Sequence, residues 1–221
     1  MQALIVGVGP GVSASFARVL AREGYAVALA ARDTGKLAAL AREIGGSAHA
    51  CDATNAAAVA ALFATVGVPD VVLYNPSARV RGPLVELDPA SVHAALEVTA
   101  FGGFLVGQAA ARAMLPRGSG TILFTGASAS VKGYAGSAPF AMGKFALRGL
   151  AQSMSRELHP KGIHVAHVVI DGGVRAGGRP DPGDDSMLDP AAIAETMLHL
   201  VRQPRSAWSE EVAVRPWVER F

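Results

Sequence analysis

Short apolar runs alternate along this chain with longer stretches in which apolar residues recur every three or four positions. Ala3–Val6, Ala26–Ala30, Ala48–Cys51, Val71–Tyr74, Thr121–Thr125, Val165–Ile170 and Val212–Arg215 carry the first pattern, which predicts buried strands. The second pattern predicts helices over Val12–Glu23, Thr34–Ile44, Ala56–Val66, Pro89–Leu115, Ser137–Leu158 and Ala191–Arg202. Asp88-Pro89 and Asp189-Pro190 each set an acidic N-cap before a proline at the first helical position. Such alternation predicts an α/β fold, a Rossmann-type doubly wound parallel sheet of about seven strands with helices on both faces. No repeat or linker divides it, so residues 1–221 read as one domain.

One segment departs from the rhythm. Asp171–Asp189 (DGGVRAGGRPDPGDDSMLD) is rich in Gly, Pro and Asp and directly follows the sixth strand. It reads either as a flexible lid-like loop at the mouth of a site or as an ordinary surface connection.

Composition narrows the function classes. With 51% hydrophobic and 17% charged residues the chain is not disordered, and a net charge of +2 singles out neither nucleic acid nor an anionic membrane. No basic run is interleaved with aromatics, and no uninterrupted apolar run reaches bilayer length. The opening MQALIVGVG reads as a first strand rather than a signal peptide, and the expected location is cytoplasmic. Cys51 is the only cysteine, which excludes an internal disulfide and a cysteine metal site. The six histidines show no metal spacing; His164 and His167, three apart on a strand, face opposite sides and read as packing or surface residues.

The first strand runs into Gly7-Val8-Gly9-Pro10-Gly11-Val12-Ser13 and then a helix. Glycines there let the backbone turn tightly and approach a pyrophosphate, whose charge meets the free amides of the helix N-terminus. The second strand ends at Ala31-Arg32-Asp33. A guanidinium at that tip pairs with a 2′-phosphate, which favours NADP over NAD; the alternative is a solvated Arg32 beside a helix-capping Asp33. Asp52, after the third strand, either accepts from an adenine amino group or caps the helix near Asn55.

The stretch Thr121–Leu150 carries the remaining chemistry: a strand, a small-residue loop with Ser128, Ser130 and Gly133, and a helix bearing Phe140 and Lys144. A serine delivered by a strand end and a lysine delivered by the next helix is how an α/β fold builds a site. Gly126-Ala127-Ser128-Ala129-Ser130 also approaches a hydrolase nucleophile elbow, but the second glycine is absent and no helix starts promptly after Ser128.

Across its whole length the chain resembles the short-chain dehydrogenase/reductase family. Gly7 and Gly11 match the family's G-x-x-x-G-x-G, with Ser13 at the last glycine; Asn75 is retained from N-N-A-G, where the chain continues Pro76-Ser77-Ala78. The helix asparagine of the catalytic set falls at Thr99, the serine at Ser128 with Ser130 as a register alternative, and Y-x-x-x-K becomes Phe140-Ala141-Met142-Gly143-Lys144. Asp171-Gly172 stands where the family has proline-glycine. The resemblance implies that Ser128 orients the substrate, that Lys144 binds the nicotinamide ribose, and that Gly7, Gly9, Gly11, Val12, Ser13, Arg32, Asp52, Asn75, Gly172 and Val174 contact the cofactor.

The resemblance further implies an NADP(H)-dependent oxidoreductase acting on a small carbonyl or alcohol. Phe140 has no ionisable proton, so the tyrosine of the family's mechanism is not available. Tyr134 or a water on Lys144 would then supply the proton; the alternative for Tyr134, and the favoured one, is a loop-packing aromatic. The alternative is an NADP-binding sensor or scaffold that keeps the fold without efficient chemistry. Small residues on the two long helices (Gly102, Gly103, Ala109, Ala110, Gly143, Ala146, Gly149) suit pairing between copies, which predicts a homodimer or homotetramer.

Overall fold

The computed structural model describes residues 1–176 and 182–218. The strands are β1 (Gln2–Val6), β2 (Ala26–Ala31), β3 (Ser47–Ala50), β4 (Val71–Tyr74), β5 (Gly120–Thr125), β6 (Ile163–Ile170), β7 (Gly173–Val174), β8 (Met187–Leu188) and β9 (Glu211–Val214). The helices are α1 (Val12–Arg22), α2 (Ala38–Ile44), α3 (Ala56–Val66), α4 (Pro89–Leu96), α5 (Gly102–Met114), α6 (Ala138–Leu158) and α7 (Pro190–Arg202).

Seven strands form one parallel sheet in the order β3-β2-β1-β4-β5-β6-β9. Successive side chains of its strands point to opposite faces, and both faces are covered. Ile5, Leu29, Leu73, Leu123 and Val168 pack with Phe16 and Leu20 of α1 and Ile193 and Met197 of α7. Leu4, Val72, Tyr74, Ile122, Phe124 and Val165 pack on the other face with Leu62, Val106, Met114 and Leu147. Burial on two faces is why these strands read as nearly unbroken apolar runs. From β1 the chain winds outward to β2 and β3, then returns to β4 and winds the other way, so the strand order reverses beside β1. A crevice forms at such a reversal, outside the carboxyl ends of the strands.

The expected helices are present with two interruptions. Thr34–Leu37 is a tight 3₁₀ turn ahead of α2, with Asp33 accepting from the Gly35 amide at 2.9 Å as its N-cap. The long helix expected over 89–115 contains a π-helical turn, Glu97–Phe101, between α4 and α5. The cause is a side chain from β4: the Tyr74 hydroxyl donates to the Val98 carbonyl oxygen, and a Cβ on Gly102 would lie 2.5 Å from that hydroxyl. A polar group inserted into the helical ladder opens it by one residue.

The helical span Pro89–Arg117 is long and apolar enough, by length and composition alone, to cross a bilayer, although His93, Glu97, Gln108 and Arg112 interrupt its apolar run. Here it packs against α3, α6, β4 and β5. Within Asp171–Asp189, β7 pairs with β8 and the Arg175 amide donates to the Leu188 carbonyl, so both ends of the segment expected as a loop are tied down. Its centre, residues 177–181, lies outside the described residues, and the lid reading lies there with it. His164 and His167 are both buried, which removes the surface option. The His164 ring stacks on Trp208 with centroids 4.8 Å apart, while Nδ1 of His167 lies 2.9 Å from a Glu211 carboxylate oxygen.

Candidate active site in the strand-end cleft

A cleft of ≈ 900 Å³ lies at the carboxyl ends of the central strands. One wall is the turn from β1 to α1. Gly7 adopts φ +81°, and a Cβ there would sit 2.5 Å from Pro76, so both backbone hand and space demand glycine. Asn75 donates from Nδ2 to the Gly7 carbonyl oxygen at 2.9 Å and to Ser13 Oγ at 3.4 Å. Ser13 is buried and folds its hydroxyl back, accepting from the Gly9 amide at 2.9 Å and donating to the Gly9 carbonyl oxygen at 3.2 Å. Ser13 thereby rigidifies the turn at the position where the G-x-x-x-G-x-G pattern has its last glycine.

The N-terminus of α1 is open. Gly11 caps it with no side-chain bond, and its first turn holds no acidic residue. A Cβ on Gly9 would meet nothing within 4 Å, and one on Gly11 nothing nearer than 3.9 Å. Free amides, a favourable helix dipole and room beside glycines are what a pyrophosphate requires, so these residues fit a dinucleotide. Gly9, Gly11, Val12, Ser13 and Asn75 all line the cleft, as do Gly172 and Val174 from the opposite side. Gly172 has φ +152°, and a Cβ there would come within 2.8 Å of Pro216.

Arg32 follows the last residue of β2 and is exposed, one strand outward from the β1 turn and outside the cleft lining. Its charge helps hold the Asp52 carboxyl below the usual range, after the stronger effect of the Thr54 amide and hydroxyl, which both donate to Asp52. Asn55, not Asp52, caps α3, accepting from the Ala58 amide at 3.0 Å.

The far end of the cleft is built by β5 and α6. Ser128 lines it, whereas Ser130 is fully buried and accepts from the Ala127 amide at 3.1 Å. Ser128 opens a short 3₁₀ turn rather than a helix, and the described lining holds no histidine, so the parts of a hydrolase elbow are not assembled. Lys144 reaches up from α6 and donates from Nζ to the Thr125 carbonyl oxygen at 2.6 Å. Burial, aided by the nearby Arg79 charge, pushes its pKa down to about 7. Phe140, one turn earlier on α6, packs with Ala127, Ala129 and Ala141, its ring centroid 5.9 Å from the Lys144 ammonium.

Thr99 lies in the π turn, fully buried and away from the cleft lining. Its hydroxyl accepts from the Ala78 amide at 3.1 Å, and its side chain occupies the space left by Gly143, whose hypothetical Cβ would be 2.9 Å from Thr99 Cβ. Tyr134 lines the cleft mouth, 46% exposed, with the Lys132 ammonium 5.8 Å from its ring. Asp171, one residue past β6, is buried and is not part of the cleft lining; it lies 3.7 Å from Lys132 and 3.8 Å from Arg215.

Two features were not legible beforehand. Arg79, on the loop after β4, lays its guanidinium over the Phe140 ring at 4.5 Å, and Arg81 lines the same cleft. The only sequence signal was a pair of cations two residues apart after the fourth strand. Behind Lys144, Arg148 grips Glu211 with two bonds of 2.7 and 2.8 Å, and Glu211 in turn holds His167. Among the described residues, no group of three or more His, Cys, Asp or Glu side chains could hold a metal ion.

Comparison with known proteins places this architecture. An uncharacterized oxidoreductase of Staphylococcus aureus (strain N315) is 26% identical over 97% of this chain and 96% of its own length. The crystal structure of a short-chain dehydrogenase from Rhodopseudomonas palustris is 37% identical, covers 98% of both chains and superposes with a TM-score of 0.86. A metagenomic short-chain oxidoreductase in complex with NADP is 31% identical, with a TM-score of 0.85 over 99% of this chain and 98% of that one. The sequence profile of the short chain dehydrogenases matches residues 1–177, from the first strand through the glycine turn, the Ser128 loop and Lys144 to the segment after β6. With that match and a sheet shared from end to end, the chain belongs to the short-chain dehydrogenase family of oxidoreductases.

Proposed function

We propose that this protein is an NADP(H)-dependent oxidoreductase that interconverts a small carbonyl compound and its alcohol, and that Lys144 takes the place of a tyrosine as proton donor. The observation that carries this reading is Lys144 itself: a buried ammonium in the cleft wall, with a pKa pushed down to about 7. A group titrating near the working pH is a suitable general acid, because it is both present in its protonated form and ready to give the proton up.

The bound nicotinamide would supply a hydride to the carbonyl carbon, or accept one in the reverse direction. Ser128 Oγ would donate to the carbonyl oxygen and fix its direction. Lys144 Nζ, held by Thr125, would pass one proton to that oxygen, directly or through one water, and regain it from solvent. Phe140 keeps the wall beside the reacting carbon apolar. Tyr134 is the weaker donor candidate, because it sits exposed at the mouth beside Lys132.

Residues 1–221 are read as one dinucleotide-binding domain. NADP rather than NAD is supported by Arg32 after β2 and by the NADP complex of the metagenomic relative. Exposed Phe101 and Phe104, stacked 6.1 Å apart, and exposed Met142 and Phe145 on α6 support a homodimer or homotetramer. The buried, unpaired thiol of Cys51 suits a reducing, cytoplasmic setting.

The rival reading, a sensor that binds NADP without turnover, rests on Phe140 alone. Single-turnover reduction of a carbonyl panel by NADPH separates the two. Oxidation of bound NADPH coupled to carbonyl loss is expected; tight NADPH binding with no turnover of any carbonyl would overturn the oxidoreductase reading.

A further inference from the structure

The described residues lining the cleft include three cations, Arg79, Arg81 and Lys144, and no carboxylate. Lys144 is placed for the cofactor ribose and the proton, and the pyrophosphate has its own cradle on α1. The two arginines are left without a role in that chemistry.

Their position is specific. The Arg79 guanidinium carbon stands 4.5 Å from the Phe140 ring centroid, so Arg79 belongs to the end of the cleft where α6 and the Ser128 loop meet. Arg32, the residue suited to a 2′-phosphate, follows β2, on the other side of β1 in the sheet. The loop presenting Arg79 is fixed one residue earlier, where the Ala78 amide donates to buried Thr99. Arg79 is also close enough to Lys144 to add to the effect of burial on that ammonium.

We propose that Arg79 and Arg81 bind an anionic group, carboxylate or phosphonate-like, carried by the carbonyl substrate itself. This rests on the oxidoreductase reading for the reaction but not for the binding. A planar guanidinium fork stacked on an aromatic ring is pre-organised for bidentate contact with such a group. The stack orients the anion above Phe140, leaving the adjacent carbonyl facing Ser128 and Lys144.

The test uses the enzyme saturated with NADPH and three probes: oxamate, acetylphosphonate and neutral ethyl oxamate, titrated by calorimetry. Oxamate or acetylphosphonate is expected to bind about 10–100-fold more tightly than ethyl oxamate, the range for charge-assisted hydrogen bonds. Arg79→Gln should erase that preference, Arg79→Lys should restore part of it, and Arg81→Gln should reduce it. Which anion binds better separates a carboxylate from a phosphonate-like substrate. Equal affinity for the anions and the neutral ester overturns the proposal. So does a loss of NADPH affinity in Arg79→Gln as large as the loss of oxamate affinity, since Arg79 would then serve the cofactor. Anion binding that depends on Arg79, with no carbonyl turned over, sinks the redox reading and leaves this one standing. Turnover confined to neutral carbonyls does the reverse.

Discussion

Lys144 hands one hydrogen bond from its buried ammonium on α6 to the carbonyl oxygen of Thr125 at the end of β5, 2.6 Å away. That bond ties the helix to the strand end and aims a cation into the cleft wall, at a site where burial favours the neutral amine. Folding lowers this pKa from 10.5 to about 7, so between those values the unfolded chain holds the extra proton. Stability must therefore rise as pH increases through that window, and the contribution is lost as pH falls toward 7. Lys144→Met keeps the length of the side chain and removes the titration. Urea unfolding of both proteins as a function of pH should show a difference that grows by a few kcal/mol from neutral to alkaline pH. A pH-independent difference would mean that Lys144 titrates as an exposed lysine.

Phe140→Tyr places a phenol on the ring that already lies 5.9 Å from the Lys144 ammonium. If Lys144 supplies the proton in the natural protein, reduction should slow as pH rises through about 7, where the ammonium is lost. The phenol adds a positioned acid that stays protonated above the Lys144 pKa, worth roughly 10²-fold in kcat, and it moves the alkaline limb upward. Steady-state pH profiles of both proteins check this. A folded variant with unchanged kcat and an unchanged limb would show that proton transfer does not limit the reaction.

The strands and the glycine turn between β1 and α1 were legible in the sequence because each rests on a local rule. Alternating buried runs define the strands to within a residue or two, and Gly7 needs its residue type for reasons of backbone hand and space. Ser13 was readable as a departure but not as a repair, because its bonds to Gly9 and Asn75 join residues whose proximity only the fold creates. The π turn was hidden for a similar reason: its cause, the Tyr74 hydroxyl, comes from a strand 24 residues away. Arg79 over Phe140 joins a loop and a helix distant in sequence, and no periodicity announces such a contact. Phe140 was legible as a problem, whereas the group standing over it was not.

Arg32→Gln tests the cofactor preference. The side chain is exposed and outside the cleft lining, so its loss should leave the fold intact. Removing a guanidinium that meets a 2′-phosphate should weaken NADPH binding about 10–100-fold while leaving NADH unchanged. Fluorescence titration with both nucleotides measures the two constants. Equal weakening for both would assign Arg32 to a group the cofactors share.

His164 and His167 make the protein sensitive to mild acid. Both are buried, and burial, the largest influence on each, lowers their pKa below 6.5. For His167 the Glu211 carboxylate opposes this, while Lys144 and Arg148 add to it; for His164 the Ser209 carbonyl opposes it and His159 adds to it. A histidine neutral in the fold but protonated in the unfolded chain stabilises above 6.5, and that stability drains away as pH falls from there toward the folded value. Each contributes a slope of up to about 1.4 kcal/mol per pH unit. Glu211, with its own pKa lowered from 4.5, adds its loss only below that range, so the window just under 6.5 belongs to the histidines. His164→Phe retains the stack on Trp208 and leaves the Ser209 carbonyl without its donor, a pH-independent cost of about 1 kcal/mol. Urea midpoints taken across the window should show a stability slope in the variant about half that of the natural protein. Identical slopes would place the acid sensitivity elsewhere, with His164 already charged in the fold.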